Sequence, residues 1–439
     1  MPSDPSSLTA AHPRAPGEAS QRFSLEQRFS ASPAEVWAYV SDTDRINRAA
    51  GIPEAKGTYE PAEGGRVLIG RAKQLGFTLE WVEHPFEHVA GQRFGVLREY
   101  RAGPLLWMRS VVELEADGNG TRLTQTFEAQ PRSMMYAPVV AAELGVRLKR
   151  AFQRVYEELE QYLATPEEQR SRLDPLAPTQ PLSSDGEREL ERLLKAAHAN
   201  GATPHALMVL EMMIRQGDPR ELGRLRPIEL AHRAGMPEDA MIDACLIAAD
   251  VGLLQLRWDL LCPHCRVASS QLERPEDLDA AGRCEACDVA VPVDPMSSVE
   301  LVFRPSPRVR EVEVGTYCLG APAHSPHVVA QQVLAPGERL ELRLQLPAGA
   351  WAVTSGHSVF IELDVLEEAT TSEATITLSA PPARVDVSAR GQRLTLVNDT
   401  KESRRVRVED GLLRATVLSA SRAAARSLEL EGRGASAPA

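Results

Sequence analysis

Ser24–Phe29, with Leu25 and Phe29 in one phase among polar residues, gives a short strand signal. Ser32-Pro33 then opens a helix. Serine supplies the N-cap, proline sits where a missing N–H costs nothing, and Glu35 completes a capping box. A second short helix is predicted after Asp42. Alternation at 65–72, 75–83, 88–99, 105–116 and 121–130 predicts a run of strands, with turns at Gly64-Gly65 and Asp117–Gly120. A long helix over 138–163 closes the segment. Its apolar residues Val140, Leu144, Leu148, Phe152, Val155, Leu159 and Tyr162 recur every three or four positions and form one stripe.

The pattern then changes. Residues 164–184 hold four prolines and no periodicity, and read as a linker. Helical period returns over 185–257. Two helices fill 185–215; a short helix Ile228–Arg233, a turn at Gly235 and a longer helix Pro237–Val251 follow. An exit through Gly-Leu-Leu into a strand gives the rhythm of a winged helix-turn-helix. From 299 the chain returns to short alternation, at 299–303, 309–314, 328–334, 339–346, 350–354, 374–379, 384–388, 392–398 and 404–409. Turn signals at Pro336-Gly337, Pro347–Gly349 and Asn398–Thr400 and the regular spacing predict a β-sandwich.

The expected layout is multidomain α+β. It runs as a disordered N-terminus (1–21), a sheet-and-long-helix domain (22–163), a linker (164–184), a winged-helix-like unit (185–257), a cysteine-bearing segment (258–296), a β-sandwich-like domain (297–411) and a flexible tail (412–439). Sixteen of the 21 aromatic residues lie before residue 164, so the first domain carries a different kind of core from the rest.

Charge removes one class of function. The net charge is −12, and the helix over 237–252 carries Glu238, Asp239, Asp243 and Asp250 with no Lys or Arg. Such a helix repels phosphate, so the helix-turn-helix rhythm reads as a packing unit and no nucleic-acid partner is expected. No run of 18 apolar residues occurs, so no membrane span is expected. The first twenty residues carry no apolar stretch, so no secretory leader is expected either. A cytoplasmic location follows, in which thiols stay reduced.

Reduced thiols matter because of one motif. Cys262-Pro-His-Cys265 is followed 18 residues later by Cys284-Glu-Ala-Cys287. Two C-x2-C turns can each aim two thiolates at one ion, and the spacing is that of a zinc ribbon. Four thiolates leave no open coordination position, so the expected cofactor is a structural Zn²⁺. A vestigial metal-free site, a redox disulfide and iron on four cysteines are the alternatives. His264 becomes a ligand only if a cysteine drops out. Cys245 reads as a buried thiol on an apolar helix face, and Cys318 stands alone. His324 and His327, in a proline-containing loop, and His357 read as ordinary loop residues. So do His84 and His88, which flank a Pro-Phe turn.

The segment FSLEQRFSASPAEVWAYVSDTDRINR resembles the opening of START-like, polyketide-cyclase-like helix-grip domains, with the resemblance covering about 22–163. Members of that family hold hydrophobic small molecules, often lipids or polyketides, in a cavity between sheet and helix. The resemblance therefore implies such a ligand. Alternation nominates Phe77, Trp81, Phe94, Met108, Phe127, Leu144 and Leu148 as its wall. No Ser/His/Asp or Cys/His set is visible in this domain, so no catalytic residue is assigned and a non-enzymatic protein is expected.

A second resemblance rests on LQLRWDLLCPHCR, the paired cysteine turns, VELVFRPSPRVREVEVGTYCLGAPAHSPHVVAQQVLAPGE and LTLVNDTKESRRVRVED. These are similar to the region preceding the catalytic domain in certain bacterial class III adenylate/guanylate cyclases, some of which also begin with a START-like domain. The catalytic domain is not found: 28 residues follow Gly411 and none carries its metal-binding Asp motif. The resemblance implies a regulatory or sensory module, with a cyclase or another signalling protein as partner. Three alternatives stand beside it: a truncated or split cyclase, a START-like cyclase or hydrolase enzyme, and a DNA-binding regulator.

Overall fold

The computed structural model describes residues 13–410, apart from 63–64, 167–168, 171–173, 179, 263–267, 273–281, 285–288, 292–298, 356–358 and 382. The described residues fall into two compact units, one of 13–164 with 317–410 and one of 165–316.

In the first unit the chain begins with β1 (Gln21–Phe29), α1 (Pro33–Val40) and α2 (Thr43–Ala49). The Ser32 capping box forms as its sequence dictates, with the Ser32 side chain accepting from Glu35 N and Glu35 reaching back to Ser32 N. Seven strands follow: β2 (Lys56–Ala62), β3 (Gly65–Gln74), β4 (Phe77–Glu83), β5 (Glu87–Val89), β6 (Arg93–Ala102), β7 (Leu105–Asp117) and β8 (Gly120–Pro131). They pair antiparallel, β1 to β8, β8 to β7, β7 to β6, β6 to β4, β4 to β3 and β3 to β2. The single strand expected over 88–99 is two, because Gly91 takes φ +73° and turns the chain between β5 and β6.

The sheet grips one long helix, built from α3 (Ala137–Ala142), a π-helical turn (Glu143–Leu148) and α4 (Lys149–Ala164). The π turn has a cause in the sequence. Val140, Leu144, Leu148 and Phe152 are each four apart, so a regular α-helix would rotate the stripe by about 40° per step. Widening one turn keeps all four buried. The first segment is thus a helix-grip α+β domain with a large β-sheet.

The second unit holds α5 (Ser184–Ala199), α6 (Pro204–Gln216), α7 (Pro219–Leu222), α8 (Pro227–Arg233) and α9 (Glu238–Asp250). Then come β9 (Leu254–Leu261), β10 (Ala268–Leu272), β11 (Gly282–Cys284), β12 (Val289–Val291) and β13 (Val299–Pro305). Leu190, Leu210, Ile214, Met241 and Phe303 centre one apolar core. Strands order as β10-β9-β13, and β11 pairs with β12. The strand expected over 309–314 does not form. After Pro305 the backbone N–H groups of Val309 and Arg310 turn back to Ser306 O, and the Arg310 guanidinium donates to Ile214 O. Among the described residues, no helix is long and apolar enough to cross a membrane.

The C-terminal lobe returns to the first unit. It comprises β14 (Val328–Leu334), β15 (Arg339–Leu344), β16 (Gly349–Ser355), β17 (Val359–Leu366), β18 (Glu373–Thr377), β19 (Arg384–Ser388), β20 (Gln392–Val397) and β21 (Arg404–Asp410). One sheet runs β14-β21-β16-β17-β19 and a second β15-β20-β18, with a shared apolar core of residues such as Leu340, Leu363 and Leu394.

The chain therefore divides differently from the expected domain list. Strand β13 pairs with β9, which places it with the helices. Residues 317–410 do not stand apart. Strand β14 pairs with β5 through Ala330–Val89 and Gln331–His88, so one 13-stranded sheet spans the helix-grip segment and the C-terminal lobe.

Candidate functional site

Sheet register decides which side chains face the helix. Arg98 pairs with Glu83 and Met108, Val96 with Ser110, and Phe94 with Val112. Because side chains alternate, Phe94, Val96, Arg98 and Tyr100 share one face with Trp81 and Glu83, Met108 and Ser110, and Gln125 and Phe127. This face, α2 and the long helix enclose a cavity of about 70 Å³. Pockets for small-molecule ligands run to roughly 300–1,000 Å³, so this cavity is several-fold smaller than a typical ligand site.

Of the wall candidates, Phe94, Met108, Phe127 and Leu148 face the cavity. Three lie elsewhere. Phe77 packs edge-on against Tyr136, with ring centroids 6.0 Å apart. Leu144 is buried but outside the cavity lining. Trp81 packs its indole against Gly70, where an added Cβ would fall 2.2 Å from the ring, and only glycine leaves that room.

Polar groups interrupt the apolar wall. Arg98 and Glu83 form a two-point ion pair, Nε–Oε2 2.8 Å and Nη2–Oε1 3.2 Å, with side chains 15% and 1% exposed. Trp81 Nε1 donates to the same carboxylate at 2.5 Å, and the guanidinium carbon sits 5.5 Å from the Trp81 ring. Burial pulls the Arg98 pKa down, but the Glu83 carboxylate, with Cys318 and Tyr100 adding to it, raises the value above the ordinary range. Arg98 therefore stays charged inside the wall. Tyr156 donates to Gln125 Oε1 at 3.1 Å, and burial raises its pKa. Sequence reasoning missed Arg98 and Glu83. The signal was present, since both fall in the apolar phase of alternating strands, beside Val96 and Trp81.

The reading of His84 and His88 as loop residues needs correction for one of them. His84 is part-exposed, with Nε2 2.7 Å from Glu99 Oε1. His88 is 3% exposed on β5, because β14 covers it. Its Nε2 contacts Val328 O at 3.0 Å, so that nitrogen carries the proton and donates. Burial pushes the His88 pKa down to about 4, with Arg407 adding to the shift. Burial pushes the neighbouring Glu87 up to about 7; Val333 N–H, Arg14 and Arg93 oppose that rise and Glu338 adds to it.

The two groups give opposite pH dependence. Folded Glu87 keeps a proton that the unfolded chain releases above its ordinary value of 4.5, so its contribution is lost as pH rises towards 7. Folded His88 refuses a proton that the unfolded chain accepts below 6.5, so its contribution is lost as pH falls towards 4. Glu87→Gln is expected to stabilise the chain by roughly 1–3 kcal/mol at pH 8, with the gain shrinking to zero near pH 4. Urea midpoints across that range measure it, and a pH-independent difference would contradict the assignment.

Among the described residues, no group of three or more His, Cys, Asp or Glu is placed to hold a metal ion. Cys265 and Cys287 lie outside the described residues, as does His357. Cys262 is buried just beyond β9, and Cys284 ends β11. A larger groove of about 690 Å³ lies on the C-terminal lobe beside residues 367–372 and 388–393. It is polar and open, and its Arg343 and Arg393 already pair with Glu341 and Glu373, so it is the weaker candidate.

Residues 20–164 match the family described as polyketide cyclase / dehydrase and lipid transport. Residues 187–332 match a family of unknown function. No curated protein matches the chain. Among solved structures, the chain is similar to the Mll3558 protein from Rhizobium loti (24% identity, 31% of this chain and 96% of that one, TM-score 0.24). It is also similar to the Zhui aromatase/cyclase from Streptomyces sp. R1128 (13% identity, 31% and 94%, TM-score 0.24). A third is the TTHA0849 protein from Thermus thermophilus (14% identity, 33% and 100%, TM-score 0.25).

The first family match corrects the expectation of a non-enzymatic protein. Its description covers cyclases and dehydrases as well as lipid transport, so an enzymatic role is open to this domain. The physical reason is that polar groups distant in sequence can be brought together across strands. Glu83 and Arg98 are 15 residues apart and meet only through the pairing of β4 with β6.

Proposed function

We propose that the chain binds a hydrophobic small molecule or lipid in the helix-grip cavity, with Phe94, Met108, Phe127 and Leu148 in contact with it. The observation that carries this reading is an apolar concave face holding one buried ion pair, Arg98–Glu83. An apolar wall gains about 25 cal/mol per Å² of ligand surface covered. A fixed guanidinium in that wall would orient a polar group of the ligand. The same cation favours a second reading, in which a ligand carbonyl polarised by Arg98 is converted rather than merely held.

The remainder of the chain serves, in this reading, as a regulatory module like the one preceding bacterial cyclase catalytic domains, and acts on a cyclase or another signalling protein. Cys262, Cys265, Cys284 and Cys287 hold a structural Zn²⁺ in a reducing compartment such as the cytoplasm.

Organic extraction of the purified chain with mass spectrometry tests the ligand. The expected result is one apolar molecule per chain, absent from a Met108→Trp variant that fills the cavity. A mass change on incubation would favour conversion over storage. A chain that carries no such molecule and takes none up from a mixed lipid extract would overturn the proposal.

A further inference from the structure

The cavity is not closed by the helix-grip domain alone. Residues Tyr317–Gly320 run along α2 beside it, and the Cys318 side chain, 3% exposed, forms part of its lining. This strap is anchored from three sides. The fully buried Asp44 of α2 accepts from two successive backbone N–H groups, Tyr317 N at 2.7 Å and Cys318 N at 2.9 Å, both on Oδ1. Asn47 Nδ2 donates to Tyr317 O at 3.0 Å, and Thr43 Oγ1 to Gly320 O at 3.1 Å. Leu319 lies over Gly57 of β2, where an added Cβ would come 2.8 Å from it. From inside, Arg98 Nη2 is 3.6 Å from Cys318 Sγ.

Two observations set the direction of the effect. With the strap seated, about 70 Å³ remains, far below the roughly 300 Å³ a small-molecule ligand needs. The strap is also continuous with the C-terminal lobe, eight residues before β14. We infer that Tyr317–Gly320 is a displaceable wall of the ligand cavity, so that ligand occupancy and seating of the strap exclude each other. The inference rests on the cavity being the ligand site. Its consequence is reciprocal coupling: a ligand unseats the strap, and whatever holds the strap down weakens the ligand. The helix-grip cavity is then read out through the chain segment that leads into the C-terminal lobe.

Asp44→Asn and Gly57→Val test this from opposite sides, one by weakening the acceptor for the strap N–H groups, the other by crowding Leu319. The probe is N-phenyl-1-naphthylamine, followed by fluorescence on the full chain. Apparent affinity scales with the open fraction, so both variants are expected to bind it about tenfold more tightly than the parent. In the parent, saturating probe is expected to speed iodoacetamide labelling of Cys318 several-fold, read by peptide mass spectrometry. Equal affinity in all three proteins, with Cys318 labelling unchanged or slowed by probe, overturns the strap and leaves the ligand site standing. No probe binding by any of the three overturns both. The labelling arm needs no variant, so misfolding of Asp44→Asn or Gly57→Val cannot rescue the inference.

Discussion

Arg98→Met is expected to destabilise the unit formed by 13–164 and 317–410 by about 3–5 kcal/mol. The substitution keeps most of the apolar stem but leaves Glu83, whose side chain is 1% exposed, as a buried carboxylate without its cation. Trp81 Nε1–H is the donor that stays. A neutral donor offsets part of the cost, since a hydrogen bond to a charged group contributes about 1.5–3 kcal/mol. Glu83→Leu combined with Arg98→Met is expected to recover most of the loss, because two apolar side chains bury no charge. Hydrogen exchange of peptides covering β4 and β6 in increasing urea reports this unit apart from the other. A single variant within 1 kcal/mol of the parent would show that the pair is hydrated in solution and that the cavity wall is wetter than its geometry implies. The same measurement bears on the ligand, because the orienting group of the proposed site is the one removed.

The sequence-to-structure correspondence depends on range. The Ser32–Glu35 box, the strand alternation of β7 and β8 and the stripe from Val140 to Tyr162 are local patterns, and each produces the element its spacing demands. Even the π turn is written in three successive intervals of four. What alternation does not carry is the identity of the partner across the sheet. Strand β2 includes Pro61, which argues against a strand locally, yet it forms as an edge that, among the described residues, pairs with β3 alone. His88 looks like a loop residue until β14, more than 200 residues later, covers it. Asp44 sits in the first turn of α2, where a carboxylate stabilises a helix N-terminus, and nothing local marks it further. Its bonds to Tyr317 and Cys318 belong to the tertiary fold alone. For the cavity the apolar half was readable from alternation, while the polar half left only the sign of two charges in an apolar phase, without their partners. A charged residue in an apolar phase is ordinarily a register error, and only the pairing of Glu83 with Arg98 shows how the two charges are accommodated.

Metal analysis of the purified chain is expected to return one zinc per chain, and Cys262→Ser or Cys284→Ser to abolish it. Between the two cysteine pairs the chain carries few large apolar residues, with Val267, Leu272 and Leu278 among them, too few to form a core without a metal. A structural Zn²⁺ supplies an apparent binding free energy of about 10–16 kcal/mol in zinc-finger peptides at neutral pH, on the order of the whole stability of a small domain. Chelation is therefore expected to raise hydrogen exchange across β9–β12 by orders of magnitude. Cys245 separates the metal from general thiol chemistry. Burial pushes its thiol up to about 12, so it stays protonated, and Cys245→Ala is expected to keep the metal. The competing chemistries have distinct signatures. Iron on four thiolates absorbs visible light, and a disulfide lowers the mass by about two and blocks alkylation of two cysteines. A metal-free chain in which all four motif cysteines alkylate readily, and in which chelator changes nothing, would leave the segment between β9 and β13 without the clamp proposed for it.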